Sequence, residues 1–219
     1  MGIEIDLLCN YPKTKRNIQD RGNLKTEADR AIARRFDKEF FDGDRAHGYG
    51  GFSYQKKFWT PVIPDFQKHF NIHVGNSVLD VGCAKGFMLH DMMELIPGIN
   101  IRGIDISEYA IANALPSVKP YVEVANAISL PFADKTFDVV ISINTVHNLD
   151  REHCGKALQE IERVSRGASF ITVDAYRNEE ERLRMEAWNL TAQTIMHVDE
   201  WVSFFKDVGY TGDYYWFIP

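Results

Sequence analysis

Two stretches of this chain combine residue types and spacing that could hold a ligand. VLDVGCAKG, Val78–Gly86, reads as a strand running into a glycine turn and then a helix. Glycines let the backbone pass close to a ligand at a helix N-terminus, where free N–H groups await a partner. Asp105 ends the next predicted strand, nineteen residues after Gly86. A carboxylate there can accept hydrogen bonds from both hydroxyls of a ribose, each charge-assisted bond being worth about 1.5–3 kcal/mol. Two other nucleotide sites fit less well. Gly43 and Gly48 have Walker A spacing, but Tyr49 and Gly50 follow where lysine and Ser/Thr are required. The turn at Gly82, Ala84 and Gly86 is one residue shorter than a dinucleotide fingerprint, which suits a ligand without a pyrophosphate.

Further along, INTVHNLD follows the fourth predicted strand. His147 is the first candidate general base, because its ordinary pKa suits proton abstraction near neutrality. The alternative is that it packs or caps the next helix, and Asn148 orients substrate or caps.

The elements that must position these groups are legible from periodicity. TEADRAIARRFDKEFF, residues 26–41, reads as one amphipathic helix started by Thr26 and Asp29, with Ala28, Ile32, Phe36 and Phe40 on one face. FWTPVIPDFQKHF suggests one or two helices interrupted by Pro61 and Pro64. From Ser77 onward the strands SVLDVG, IRGIDI, YVEVANA, FDVVISIN and SFITVDA alternate with helical segments. One of these helices has Asp150 as N-cap and ends at Gly167. Another starts at Asn178 and buries Leu183, Ala187 and Leu190. Apolar strands alternating with helices imply a parallel sheet covered on both faces. Its ligand site lies at the carboxyl ends of the strands.

The totals narrow the classes. The chain has 219 residues, 45% hydrophobic and 26% charged, enough for one full core. A net charge of −6 leans against nucleic acid and anionic membranes as partners. The three cysteines form no C-x-x-C pair, which predicts free thiols and no structural metal. No secretory signal or transmembrane run is read, and Asp6 stands where N-myristoylation asks for Ser or Thr. A cytoplasmic location is the expectation.

Taken together, VLDVGCAKG, GIDIS, NAISLPFADKTFDVVIS and ALQEIERVSR resemble class I S-adenosylmethionine-dependent methyltransferases, the small-molecule branch above all. The resemblance spans residues 74–212. It implies an α/β fold: a Rossmann-like, mostly parallel sheet flanked by helices over residues 74–219, behind an N-terminal helical and lid extension over residues 1–73. It implies S-adenosyl-L-methionine as cofactor and S-adenosyl-L-homocysteine as product. Asp80, Gly82, Cys83, Ala84 and Gly86 would frame the methionine part. Asp105 would bind the ribose diol and Ile106 would pack on the adenine. Asn126 and Ala127 would meet the adenine edge, the Asn126 amide oxygen accepting from the exocyclic amine, and the backbone at Asn144 would lie by the sulfonium. Ala84 and Asn126 depart from the family's usual glycine and aspartate. A third departure is the C-terminus, where only GYTGDYYWFIP remains for the sixth and reversed seventh strands.

In that fold, segments before the first strand fold back over the cofactor. FDGDRAHGYGGFSY, residues 41–54, is then read as a lid with Arg45, Tyr49 and Tyr54 facing the ligands, against a plain surface loop as the alternative. Asp174, Tyr176, Arg177 and Trp188 would line the substrate pocket. Arg177 points to an anionic group on the substrate or to a surface ion pair. The expected activity is methyl transfer to oxygen or nitrogen of a small polar metabolite, sugar-like or amino-acid-like. The alternatives are a cofactor-binding regulator without turnover and a same-fold enzyme with other chemistry. The oligomeric state stays open, with a homodimer among the options.

Overall fold

The computed structural model describes residues 2–13 and 25–219. Among the described residues the extension holds three helices, α1 (Glu27–Ala33), α2 (Lys38–Asp42) and α3 (Ile63–Phe70). The core follows as β1 (Ser77–Val81), α4 (Phe87–Leu95), β2 (Asn100–Asp105), α5 (Glu108–Ala112), β3 (Val122–Val124), β4 (Phe137–Ile143), α6 (Arg151–Val164), β5 (Ser165–Tyr176), α7 (Glu179–Trp188), β6 (Met196–His197), α8 (Val198–Val208) and β7 (Asp213–Phe217).

The strands pair in the order β3-β2-β1-β4-β5, and β5 then pairs with β7 and, at its last two residues, with β6. Every pairing is parallel. The central strand β1 buries Val78, Leu79, Asp80 and Val81 in succession, as a strand covered on both faces must. Helix α6 covers one face with Cys154, Leu158, Ile161 and Val164, all fully buried. Its first turn is fixed by the Asp150 side chain, which accepts from the His153 amide; such a cap contributes about 1 kcal/mol. On the other face Met88, Leu89 and Met92 of α4 pack with Ile63 and Phe66 of α3 and with Leu7. The chain order leaves β1 in one direction toward β2 and β3, then returns to β4 on its other side. That reversal opens a crevice at the carboxyl ends of β1, β2 and β4.

Five details differ from the sequence reading. The helix expected over residues 26–41 is two, separated where Phe36 takes a φ of +51° and Asp37 caps α2 by accepting from the Glu39 amide. The capping box at Thr26 and Asp29 stands. Residues 58–70 hold one α-helix, α3, within the expected one or two, but Pro64 does not interrupt it: it sits in the first turn, where its missing N–H leaves no bond unmade. Helix α6 ends at Val164 rather than Gly167, because Ser165 already pairs with Phe137 in the sheet. Helix α7 buries Met185 while Leu183 stands exposed.

The far edge is the fifth. No reversed strand closes it among the described residues; β7 runs parallel to β5, and the N-terminal segment lies along β7 in its place. The Tyr214 amide donates to the Ile3 carbonyl (3.1 Å) and the Ile5 amide donates to the Tyr214 carbonyl (2.9 Å). A side chain at Gly2 would meet the Gly212 carbonyl oxygen at 2.1 Å, so this approach requires glycine. Residues 2–8 are thereby part of the core's sheet and packing.

Candidate active site

The crevice is built from the turn after β1. Gly82, Ala84 and Gly86 all have left-handed φ, +88°, +50° and +75°. The Gly82 and Cys83 amides donate to the Ile104 carbonyl at 2.8 and 2.9 Å, which ties the turn to β2. A Cβ at Gly82 would lie 2.1 Å from Thr145 Oγ1. Ala84 carries its positive φ at a cost of about 1–2 kcal/mol for a residue with a Cβ, and its amide is held by a strong acceptor. Asp105 Oδ2 accepts from that amide at 2.8 Å, while Oδ1 accepts from the Ser107 amide at 2.8 Å. The glycine turn and the β2 carboxylate therefore touch.

Burial raises the Asp105 pKa, and the backbone donors only partly offset it. Asp80 is the more extreme group. Among the described residues no donor reaches its buried carboxylate, and burial, aided by the Asp105 charge, pushes its pKa up to about 8. Burial and both carboxylates drive the Cys83 thiol well above its usual range, so it packs as a small hydrophobe. Two buried acids beside a cradle of left-handed glycines call for a cationic guest. An ammonium and a sulfonium on one ligand meet that requirement.

The remaining walls suit a nucleoside. Ile106 is 53% exposed and Val124 is 46% exposed, an unusual placement for large apolar side chains at strand ends and one that offers a flat ring a surface. Asn126 is exposed beside them, with Ala127 buried. Its amide oxygen accepts from the Ile128 amide (3.1 Å), closing a local turn. The adenine contact expected of that oxygen is thus reduced to its second lone pair. At the end of β4, Asn144 has a φ of +53° and is locked onto β5: its amide donates to Thr172 Oγ1 and its Oδ1 accepts from that hydroxyl, both at 2.8 Å.

His147 does not reach this crevice as a free base. The residue is 4% exposed, and Nδ1 accepts from the Asp174 amide at 3.0 Å. The neutral ring then carries its proton on Nε2, which faces Asp174 Oδ1 at 3.6 Å. Burial lowers the His147 pKa and raises that of Asp174, each shift partly offset by the other group. The pair is an internal pin between the β4 exit and β5.

The residues expected around the substrate separate into groups. Tyr54 turns away, its hydroxyl donating to Asp91 Oδ1 of α4 at 2.5 Å. Tyr49 packs on Phe52 with ring centroids 4.3 Å apart, and Arg45 donates to the Tyr49 carbonyl at 2.6 Å. Arg177 pairs with Glu4 at 3.3 Å, the surface ion pair rather than the anion anchor. Tyr176 meets the His197 ring edge-on, and Trp188 packs on Phe217. Asn148 stays beside the crevice, its Nδ2 donating to the Asn144 carbonyl at 3.2 Å.

The structure adds residues that periodicity did not mark. Lys85 lies inside the glycine turn yet is buried, and its Nζ donates to Asp42 Oδ2 (2.6 Å) and to the Phe52 carbonyl (2.8 Å). Tyr109 of α5 donates to the same Asp42 oxygen at 2.7 Å, and the Phe52 amide donates to Asp42 Oδ1 at 2.8 Å. Phe52 stacks on Phe87 at 4.7 Å. Farther along, Lys25 Nζ donates to the Trp188 carbonyl at 2.6 Å, and Arg34 Nε to the Thr191 carbonyl at 3.4 Å. Residues 25–54 thus form a strap fastened at one end near α7 and at the other to the glycine turn and α5. The lysine placed between Ala84 and Gly86 was the available signal. Its partner 43 positions earlier was not.

Residues 79–173 match the family model described as methyltransferase domain. A tRNA (carboxymethyluridine(34)-5-O)-methyltransferase from Arabidopsis thaliana is 31% identical over 130 residues, covering 58% of this chain and 30% of that protein. Demethylmenaquinone methyltransferase from Symbiobacterium thermophilum is 33% identical over 126 residues, 53% of this chain and 49% of that protein. The chain therefore spans half or less of these relatives' length. Among solved structures, a chain of the Haloferax volcanii complex that contains the Trm112 methyltransferase activator superposes with a TM-score of 0.51 at 18% identity, covering 90% of this chain and 77% of that one. That likeness shows the fold.

Proposed function

We propose that this chain, which carries a Rossmann-like S-adenosylmethionine-dependent methyltransferase domain, moves the cofactor's methyl group to oxygen or nitrogen of a small polar metabolite. One observation supports this most directly: the Ala84 amide and Asp105 share a hydrogen bond beside Asp80, whose carboxylate meets no donor among the described residues. The residues present fit the cofactor. Asp105 keeps lone pairs for a ribose diol, Ile106 offers the adenine an apolar face, and Asp80 with the glycine turn takes the cationic amino-acid end.

When bound, S-adenosylmethionine supplies an electrophilic methyl on a sulfonium leaving group. Held by Asp80, the glycine turn, Asp105 and Ile106, it would offer that methyl to an acceptor oxygen or nitrogen, with the sulfur leaving as the neutral thioether and the acceptor's proton released with the products. The chain's part is alignment and exclusion of water. Asn144 and Thr172 fix the wall at the transfer point. The strap, ordered by its bonds to Lys85, Tyr109 and Thr191, acts as the lid that shuts the crevice from solvent. No resident base is required of His147.

The test is to incubate the chain with methyl-labelled S-adenosylmethionine and, in separate arms, a metabolite extract and a tRNA pool. A mass gain of one methyl in the metabolite arm supports the reading. Label in the tRNA arm alone replaces the acceptor class, and cofactor binding without label in either arm favours a regulator that binds without turnover. Among the described residues no helix is long and apolar enough to cross a membrane.

A further inference from the structure

Asp174, at the carboxyl end of β5, is a buried acid with no cation to meet it. The residue is 6% exposed, and its carboxylate accepts no hydrogen bond among the described residues. His147 Nε2 faces Oδ1 at 3.6 Å, beyond hydrogen-bond reach, on a ring that burial keeps neutral. Arg177, three residues on, pairs with Glu4, and Lys25 donates to the Trp188 carbonyl, so neither neutralises Asp174. A carboxylate left in this state is costly unless a donor or a cation arrives.

The register of the sheet places this acid on the cofactor side. Asp80 lies opposite Gly103 of β2 and Ile141 of β4, and Ile141 lies opposite Phe170 of β5. Register partners in a parallel pair point to one face, as do residues two apart on a strand. Asp105, two beyond Gly103, and Thr172 and Asp174, two and four beyond Phe170, therefore share the face of Asp80. Thr172 Oγ1 is bonded to Asn144 at the transfer point. Asp174 stands one step farther out, about 7 Å along the strand.

The next strand completes a site around it. Phe217 of β7 is the register partner of Asp174, and its ring lies 5.7 Å from that of Trp188. Both aromatic residues are half-buried. Across the end of the sheet the order is thus His147, Asp174, Phe217 and Trp188, an acid set between a neutral imidazole and aromatic rings. An ammonium is matched there twice, by the carboxylate and by the rings beside it. A hydroxyl would leave the buried charge uncompensated, and an anion would be repelled.

We infer that the methyl acceptor carries a protonated amine, whose N–H groups donate to Asp174 beside Phe217 and Trp188 while its nucleophilic atom reaches back toward Asn144. This rests on the methyltransferase reading of the crevice and narrows its polar metabolite to an amine. Asp174 is the anchor of the acceptor, and His147, which holds the Asp174 amide, sets where that anchor stands.

The test uses the full chain, methyl-labelled S-adenosylmethionine, and a metabolite extract split by a cation exchanger into unretained and retained fractions. Label is expected in the retained fraction and should vanish when its amines are acylated beforehand. With the acceptor purified from that fraction, Asp174→Asn should raise its KM about 10- to 100-fold with kcat within threefold. Calorimetry in the presence of S-adenosylhomocysteine should show the same loss of acceptor affinity without turnover. The variant's affinity for S-adenosylmethionine should be unchanged, which also verifies that it is folded. Label in the unretained fraction alone, or label that survives acylation, overturns the amine inference and leaves the methyltransferase standing. Label in neither fraction, with cofactor still bound, overturns the methyltransferase reading itself. A KM unchanged in folded Asp174→Asn removes Asp174 from the site, and the extract arms decide on the amine even where that variant does not fold.

Discussion

Lys85 Nζ lies 2.6 Å from Asp42 Oδ2, so a cation inside the glycine turn is bonded to a carboxylate of the overlying strap. Burial alone would raise the Asp42 pKa; the Lys85, Phe52 and Tyr109 donors outweigh it and bring it down to about 2. A depressed carboxylate contributes stability above its unfolded pKa, and that contribution is lost as pH falls from about 4 through about 2. Lys85→Met leaves Asp42 without its cation but with its Phe52 and Tyr109 donors, a loss of about 1.5–3 kcal/mol for one charge-assisted bond. The expected result is faster proteolysis within residues 43–54, slowed less by S-adenosylmethionine than in wild type. Equal cleavage of variant and wild type would mean that the strap is held by other contacts.

Asp105 serves both the turn and the predicted ribose. Asp105→Ala removes the acceptor of the Ala84 and Ser107 amides as well as that of two hydroxyls. Cofactor affinity should fall more than 100-fold, at about 1.5–3 kcal/mol for each charge-assisted bond. Calorimetry measures this, with circular dichroism verifying that the variant is folded. Wild-type affinity in a folded variant would refute the pocket assignment.

Asp80 predicts a pH dependence of the opposite sense to Asp42. Its folded pKa, about 8, lies far above the unfolded 3.8. Between those values the native state binds more protons than the unfolded state, so stability falls as pH rises through this window. Thermal midpoints of the free protein should be lower at pH 8.5 than at pH 6. S-adenosylmethionine, which brings positive charge to the carboxylate, should raise the midpoint more at pH 8.5. Asp80→Asn should flatten the slope, and a slope that survives the substitution points to another group.

His147→Gln should act on stability rather than on transfer. Losing the Nδ1 acceptor leaves the buried Asp174 amide without its bond, about 1–3 kcal/mol. Because burial lowers the His147 pKa, its stability contribution diminishes as pH falls below the unfolded value of 6.5. The variant should melt earlier and keep kcat within threefold once folded. A drop of 100-fold in kcat at unchanged KM would restore the histidine to the chemistry.

The parallel sheet and the site at its carboxyl end were legible because each follows from neighbours in sequence. Runs such as VLDVG must be buried on both faces, and Gly82, Gly86 and Asp105 stand at strand ends that any parallel α/β arrangement brings together. The capping residues Thr26, Asp150 and Asn178 were legible for the same local reason, since each bonds an amide within three residues. What only the tertiary structure decided is where long side chains turn and which partner each one finds. Tyr54 meets Asp91 of α4, Arg177 meets Glu4, His147 meets Asp174, and Lys85 meets Asp42. At the far edge, Ile3 binds a residue 210 positions away. Periodicity records which face of an element is buried; it carries no information about which distant group neutralises a charge once that face is covered.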